Sequence, residues 1–240
     1  MNGNPIIRGI LLEGLNFAGK SSTAVALASL LRAHGCDVAV RHCHVSDDPV
    51  VRQLQGEAKA AVRATGSGRF PDPELLRGFN TLKSAQTLID SVLAAATPYA
   101  AGAGGPILVQ DRHWFSQYCS NEFFNPGEGL LASVWRDHHA PCFTVQAYLT
   151  CAPAERRRRA GGRDGDTHGL NSYLRHHLDR LADLDTFSLR IIGEDPRWTV
   201  LSTDDHSPAE IAHRLLTVFH ARDQQPTAAT VPGVGPVVAA

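Results

Sequence analysis

The chain has 240 residues, 43% of them hydrophobic, and a formal net charge of −1 from 23 basic and 24 acidic side chains. That length suits one α/β domain with a full core, and the charge balance excludes the basic excess of a dedicated nucleic-acid binder. The 5 cysteines are scattered without a C-x-x-C pair, which excludes a disulfide framework or a zinc knuckle. No apolar run is long enough for a bilayer, and the first strand starts too early to leave room for a signal peptide, so a cytoplasmic protein away from membranes is expected.

Ile6 to Leu12 is an apolar run that reads as a buried strand. It leads into Gly14-Leu15-Asn16-Phe17-Ala18-Gly19-Lys20-Ser21, which fits the G-x-x-x-x-G-K-[ST] phosphate loop at every fixed position. Ser22 to Leu31 then has the apolar spacing of a helix. Strand, glycine loop and helix together are what this chemistry needs. Glycines let backbone amides curl around phosphates, and the helix N-terminus adds its positive end. The expected ATP contacts are therefore Gly14, Asn16, Phe17, Ala18, Gly19, Lys20, Ser21 and Ser22. Lys20 would reach the β- and γ-phosphates, and the Ser21 hydroxyl would hold Mg²⁺.

Asp37 to His44 reads as a second strand, residues 48 to 64 as a helix, and Glu74 to Ala96 as a long helix. Ile107 to Asp111 is a third strand, Thr144 to Leu149 a fourth and Arg197 to Leu201 a fifth. Ser207-Pro208-Ala209-Glu210 supplies an N-cap, a first-turn proline and a capping-box glutamate for a last helix to Phe219. Strands alternating with helices predict a P-loop NTPase-type three-layer α/β/α fold with a five-stranded parallel sheet and a short lid. Residues 1–222 would form that domain. Residues 223–240, rich in Pro, Gly, Ala and Val without a period, would form a disordered tail.

Two further groups carry chemistry. Asp111-Arg112-His113 stands at the carboxyl end of the third strand, where open α/β sheets bind ligands. Asp111 there can hold the magnesium shell with Ser21, and Arg112 can stabilise charge as a phosphoryl group moves. After the fourth strand, Pro153 opens a helix bearing Arg156 to Arg159, which Gly161-Gly162 ends. A lid over about 151–170 would bring Arg159 and Arg163, one turn apart, onto the phosphates, leaving Arg156 to Arg158 to solvent or ion pairs. His42, Cys43 and His44 cannot chelate one metal together on a strand, because 43 faces away from 42 and 44. Trp114, Phe115, Tyr118, Phe123 and Phe124 read as core packing or as an aromatic wall around a flat acceptor.

The order of these motifs resembles the thymidylate kinase family of P-loop kinases and, more distantly, the deoxynucleoside kinases. The resemblance covers most of residues 6–220. It rests on Glu13-Gly14-Leu15-Asn16 before the loop, on Asp111-Arg112-His113, on Pro153 with arginines at 159 and 163, and on the closing strand with Ser207 to Glu210. It implies a catalytic set of Lys20, Asp111, Arg112, Arg159 and Arg163. It also implies an acceptor site with Asn16, His44, Phe79 stacking on a base, Lys83 at an acceptor phosphate, Arg112 and His113. A homodimer through helices beside the sheet is the family's usual state.

The departures gather on the acceptor side. Asn16 stands where the family has an aspartate, Lys83 where it has an arginine, and Arg41-His42-Cys43-His44 where it has Arg-Glu-Pro. A monophosphate acceptor needs no strong base, which favours transfer of the γ-phosphate of ATP to a nucleoside monophosphate. A kinase of a nucleoside or other hydroxyl stays open, with Asp111, Asp47 or Asp48 as base. So does a P-loop NTPase without a small-molecule acceptor.

Overall fold

The computed structural model describes residues 4–64, 73–124, 126, 139–162, 178–193 and 195–223. Five strands, β1 (Ile6–Glu13), β2 (Val38–His42), β3 (Ile107–Asp111), β4 (Cys142–Thr150) and β5 (Trp198–Ser202), form one sheet in the order β2-β3-β1-β4-β5. Every pairing in it is parallel. The described helices are α1 (Lys20–Ala33), α2 (Pro49–Ala64), α3 (Pro73–Leu93), α4 (Trp114–Phe124), α5 (Pro153–Gly161), α6 (Leu178–Ile192) and α7 (Pro208–Asp223). A single 3₁₀ turn, Ala94–Ala96, continues α3.

The period of two along the strands sends their apolar side chains to two separate cores. Ile10 and Leu12 of β1, with Val109 of β3, pack beneath Leu27 and Leu31 of α1 and Leu215 and Phe219 of α7. Ile7 and Leu11, with Leu108, face the other way, onto Trp114 and Phe115 of α4 and Leu181 and Leu184 of α6. The result is the expected three-layer α/β/α arrangement. The aromatic group after Asp111 is largely core: Phe115 lies 4.6 Å from Trp198 between ring centroids and meets Tyr148 edge-on.

The sequence reading differs from the structure at a few boundaries. β2 stops at His42 because Cys43 turns to φ 66°. The helices α4 and α6 were not read from the sequence, although Leu181, Leu184, Ser188 and Ile192 of α6 carry a clear buried stripe. The capping box of α7 is formed, with Ser207 N and Oγ donating to Glu210 Oε2 at 2.7 and 2.8 Å. That helix runs on to Asp223, which pairs with Arg8 at 2.9 Å; residues 224–240 of the expected tail lie outside the described residues. Among the described residues no helix is long and apolar enough to cross a membrane.

One charged group is built into the core. Arg156 of α5 is 1% exposed and donates to Asp185 Oδ2 of α6 at 2.8 Å, while Tyr148 of β4 donates its hydroxyl to Asp185 Oδ1 at 2.7 Å. Of the arginines on α5, this is an ion pair buried in the protein, whereas Arg158 pairs with Glu155 at the surface. Asp185→Ala strands the Arg156 guanidinium without a counter-charge. It is expected to lower unfolding stability by about 3–5 kcal/mol, read from the denaturant midpoint.

Candidate active site

Register brings the site together. β1 lies beside β3 with Leu12 opposite Asp111, and β2 lies on the other side of β3 with His42 opposite Asp111. Glu13, Asp111 and His42 therefore end their strands at one level, at the carboxyl edge where such sheets take ligands.

The loop between β1 and α1 needs its glycines. Gly14 has φ 128°, and a Cβ built on it falls into the Leu149 carbonyl of β4. Gly19 has φ 82° where α1 begins. Gly14→Ala is accordingly expected to push the loop off β4 and abolish retention on immobilised ATP, with a lower melting temperature. Lys20 is 5% exposed and donates Nζ to Leu15 O at 2.6 Å. Burial, reinforced by the Arg112 charge, lowers its pKa to about 7 against the opposing pull of Asp111 and Glu13.

Ser21 donates Oγ to Asp111 Oδ2 at 2.6 Å. Ser21 and Ser22 are exposed at the start of α1. Burial would raise Asp111, but bonds from His42 and Ser21 and the Lys20 charge overcome it and leave the carboxyl at about 2. Asp111 Oδ1 is buried without a hydrogen-bond partner. Ser21 and Asp111 thus present two hard oxygen donors at one place, a set that fits Mg²⁺, which takes one or two protein oxygens and keeps its waters.

Arg112 is the next residue, in a left-handed conformation, φ 65°, its N–H bonded to Leu12 O at 3.0 Å. Its guanidinium donates to Asn16 Oδ1. The turn separates it from His113, expected at the acceptor. The His113 side chain is instead fully buried, with Nε2 2.8 Å from Asp90 Oδ2 and the ring edge-on to Phe143. Its backbone N–H donates to Glu13 Oε1 at 2.9 Å, and Ser116 donates to the other Glu13 oxygen. His113 supports the site from behind.

On the β2 side it is His42, and not His44, that reaches the phosphate-loop group. His42 Nδ1 lies 3.4 Å from Asp111 Oδ2, and hydrogen bonds to Asp111 and Cys43 raise its pKa to about 9 against partial burial. His44 bonds Ser46 O at 2.9 Å within its own turn. Phe79 is half-buried on α3, and one turn on, Lys83 donates to Gln86 Oε1 at 2.6 Å. Burial pushes the Cys43 thiol up, but bonding to His42 and the charges of Lys83 and Arg112 bring it below its ordinary value. Of the other bases considered from sequence, Asp47 pairs with Arg41, and Asp48 caps α2 by accepting Val50 N–H at 2.8 Å.

On the far side, Arg159 leans across the loop from α5. It donates Nη1 to Phe17 O at 3.2 Å and to Thr203 Oγ1 at 2.9 Å, Nη2 to Thr203 O at 2.6 Å, and Nε to Glu155 at 2.6 Å. The first part of the expected lid is therefore a helix tied to the loop through Arg159 and to α6 through Arg156. Arg163 and the remainder of the lid segment lie outside the described residues.

Glu13, His42, Asp90 and Thr203 were missed as site residues. Glu13 and Asp90 carried a signal, each a carboxylate inside or ending an apolar run. His42 and Thr203 did not, because their place depends on register.

A parallel sheet of this order with a glycine loop and helix after its central strand is a P-loop NTPase fold. No family model matches the sequence, and no curated protein matches it. Among solved structures the chain is similar to a thymidylate kinase from Candida albicans, described as broad in substrate specificity. The TM-score is 0.59 over 92% of each chain, at 16% sequence identity. That likeness is one of fold.

Proposed function

We propose that this protein is an ATP-dependent phosphotransferase that moves the γ-phosphate of ATP to a nucleoside monophosphate, thymidylate-like in kind. The observation that carries the reading is the Ser21–Asp111 bond of 2.6 Å, formed beside Lys20 and Arg112 at the end of the central strands. The loop amides and Lys20 would take the β- and γ-phosphates of ATP, and Arg159 lies near enough to join them. Ser21 and Asp111 would hold Mg²⁺, which when bound neutralises charge on the β- and γ-oxygens. An acceptor phosphate oxygen attacks the γ-phosphorus, its bond to the β–γ bridging oxygen breaks, and ADP leaves. Arg112, next to Asp111, would stabilise the charge that spreads over the moving group.

The acceptor side favours an anion. His42, Lys83 and Arg112 bring positive charge, while Glu13, Asp47 and Asp48 are each engaged by donors of the protein itself. A monophosphate brings its own nucleophilic oxygen and needs no base. A hydroxyl acceptor would have to borrow Asp111 from the metal.

The test is ADP release from ATP and Mg²⁺ with no acceptor, with each nucleoside, and with each nucleoside monophosphate. Release only with a monophosphate supports the reading. Release only with nucleosides would make the protein a hydroxyl kinase, and equal release without any acceptor an NTPase.

A further inference from the structure

Asp90 lies in the middle of an apolar stretch of α3, Leu88-Ile89-Asp90-Ser91-Val92-Leu93, and its side chain is wholly buried. Three donors from two other parts of the chain end on it. Val45 N–H reaches Oδ2 at 2.6 Å, Ser46 N–H reaches Oδ1 at 2.7 Å, and His113 Nε2 reaches Oδ2 at 2.8 Å. An ionised carboxylate only accepts, so Nε2 carries the proton. One carboxylate thus joins the turn after β2 to the turn after β3.

The first turn follows His42 and carries Cys43, and the second carries Arg112. Strand pairing ends at His42 and Asp111; one further backbone bond holds each first turn residue, Cys43 N–H to Asp111 O and Arg112 N–H to Leu12 O, both 3.0 Å, and residues 45–46 lie beyond that reach. Both turns also pass through left-handed backbone at non-glycine residues, Cys43 at φ 66° and Arg112 at φ 65°, a conformation that persists only where its surroundings impose it. Gln86, one helical turn before Asp90, adds a weaker tie by donating to Cys43 O at 3.2 Å.

We propose that Asp90 is a positioning residue that sets the acceptor side of the cleft against Arg112 by holding both turns on one buried carboxylate. An apolar side chain could occupy the space, but it would leave the Val45 and Ser46 N–H groups and His113 Nε2 buried without their acceptor. What it could not do is accept from both turns at once. Asp90 touches no substrate; it acts through the backbone at 45–46 and through His113. Only the kinetic part of the test rests on the phosphotransferase reading.

The experiment uses the full chain with Asp90→Asn, whose amide offers one accepting atom in place of two. Hydrogen exchange is measured at residues 43–47 and 112–116, with α1 and α7 as references. Both turns are expected to exchange at least about tenfold faster while the references keep wild-type rates. With ATP and thymidine monophosphate, kcat/KM for the monophosphate is expected to fall about 10–100-fold, with KM for ATP unchanged. A second variant, His113→Phe, keeps a ring in the core, removes one donor and leaves the other two on Asp90. It should loosen 112–116 and spare 43–47, and it decides the matter if Asp90→Asn does not fold. Wild-type protection at either turn in Asp90→Asn, or loosening of α1 and α7 along with the turns, overturns the proposal. If the wild-type protein phosphorylates no monophosphate, the phosphotransferase reading falls and the exchange data alone judge Asp90.

Discussion

Lys20→Ala is expected to leave the protein folded and to lower phosphoryl transfer by about 10²–10³, the loss expected on removal of one preorganised electrostatic contact at a developing charge. The structure adds a reason to expect an intact fold. Lys20 is buried, its charged form disfavoured enough, despite the pull of Asp111 and Glu13, that its pKa falls to about 7, and its one hydrogen bond goes to the Leu15 carbonyl. Taking away an unfavourably buried ammonium removes a desolvation cost along with one hydrogen bond. The melting temperature of Lys20→Ala should therefore match or exceed that of the wild type. Near wild-type turnover in the folded variant would overturn the assignment of the loop.

Arg112→Lys is expected to lower turnover far more than it weakens ATP binding. The substitution keeps a charge but loses the planar fork, and a lysine cannot both donate to Asn16 and lie along spreading phosphoryl charge as a guanidinium can. Interactions made mainly in the transition state appear in kcat and not in nucleotide affinity. A purely structural Arg112 predicts the opposite pattern, a lower melting temperature with normal turnover per folded molecule. Melting temperature, ATP affinity and turnover measured on one preparation separate the two.

Much of this was legible in the sequence because its signals are local. The loop from Gly14 to Ser21 is contiguous, and an apolar run before it with a helical run after it suffice to define strand, turn and helix. Asp111 and Ser21 can be brought together from the sequence, and do meet at 2.6 Å, because each stands at a fixed place in its own element, the end of a strand and the start of a helix. The acceptor side was harder. The sequence pattern runs β2 through His44, but a left-handed Cys43 ends the alternation, leaving His42 beside Asp111 and His44 bonded within its own turn. Likewise a left-handed Arg112 turns His113 into the core, and no short-range pattern announces a positive φ at an arginine. Asp90 was passed over because a single charge in a helix reads as solvent-facing until the packing partners are known.

The contacts that complete the phosphate loop have a consequence for how the protein is made. Ser21 meets a partner 90 residues downstream, Phe17 one 142 residues downstream, and Ala18 one 185 residues downstream at Thr203. The loop motif emerges from the ribosome first, yet the central strand that bears it has neighbours on both sides only after β4 has been synthesised. Until β3 is made, β1 is an apolar strand with two open edges, and until β4 is made it keeps one, the kind of segment that chaperones shield. Nascent chains stalled before Thr203 should fail to be retained on immobilised ATP even though they contain the whole glycine loop. Competence to bind nucleotide would then arrive late and at once, with the last strand.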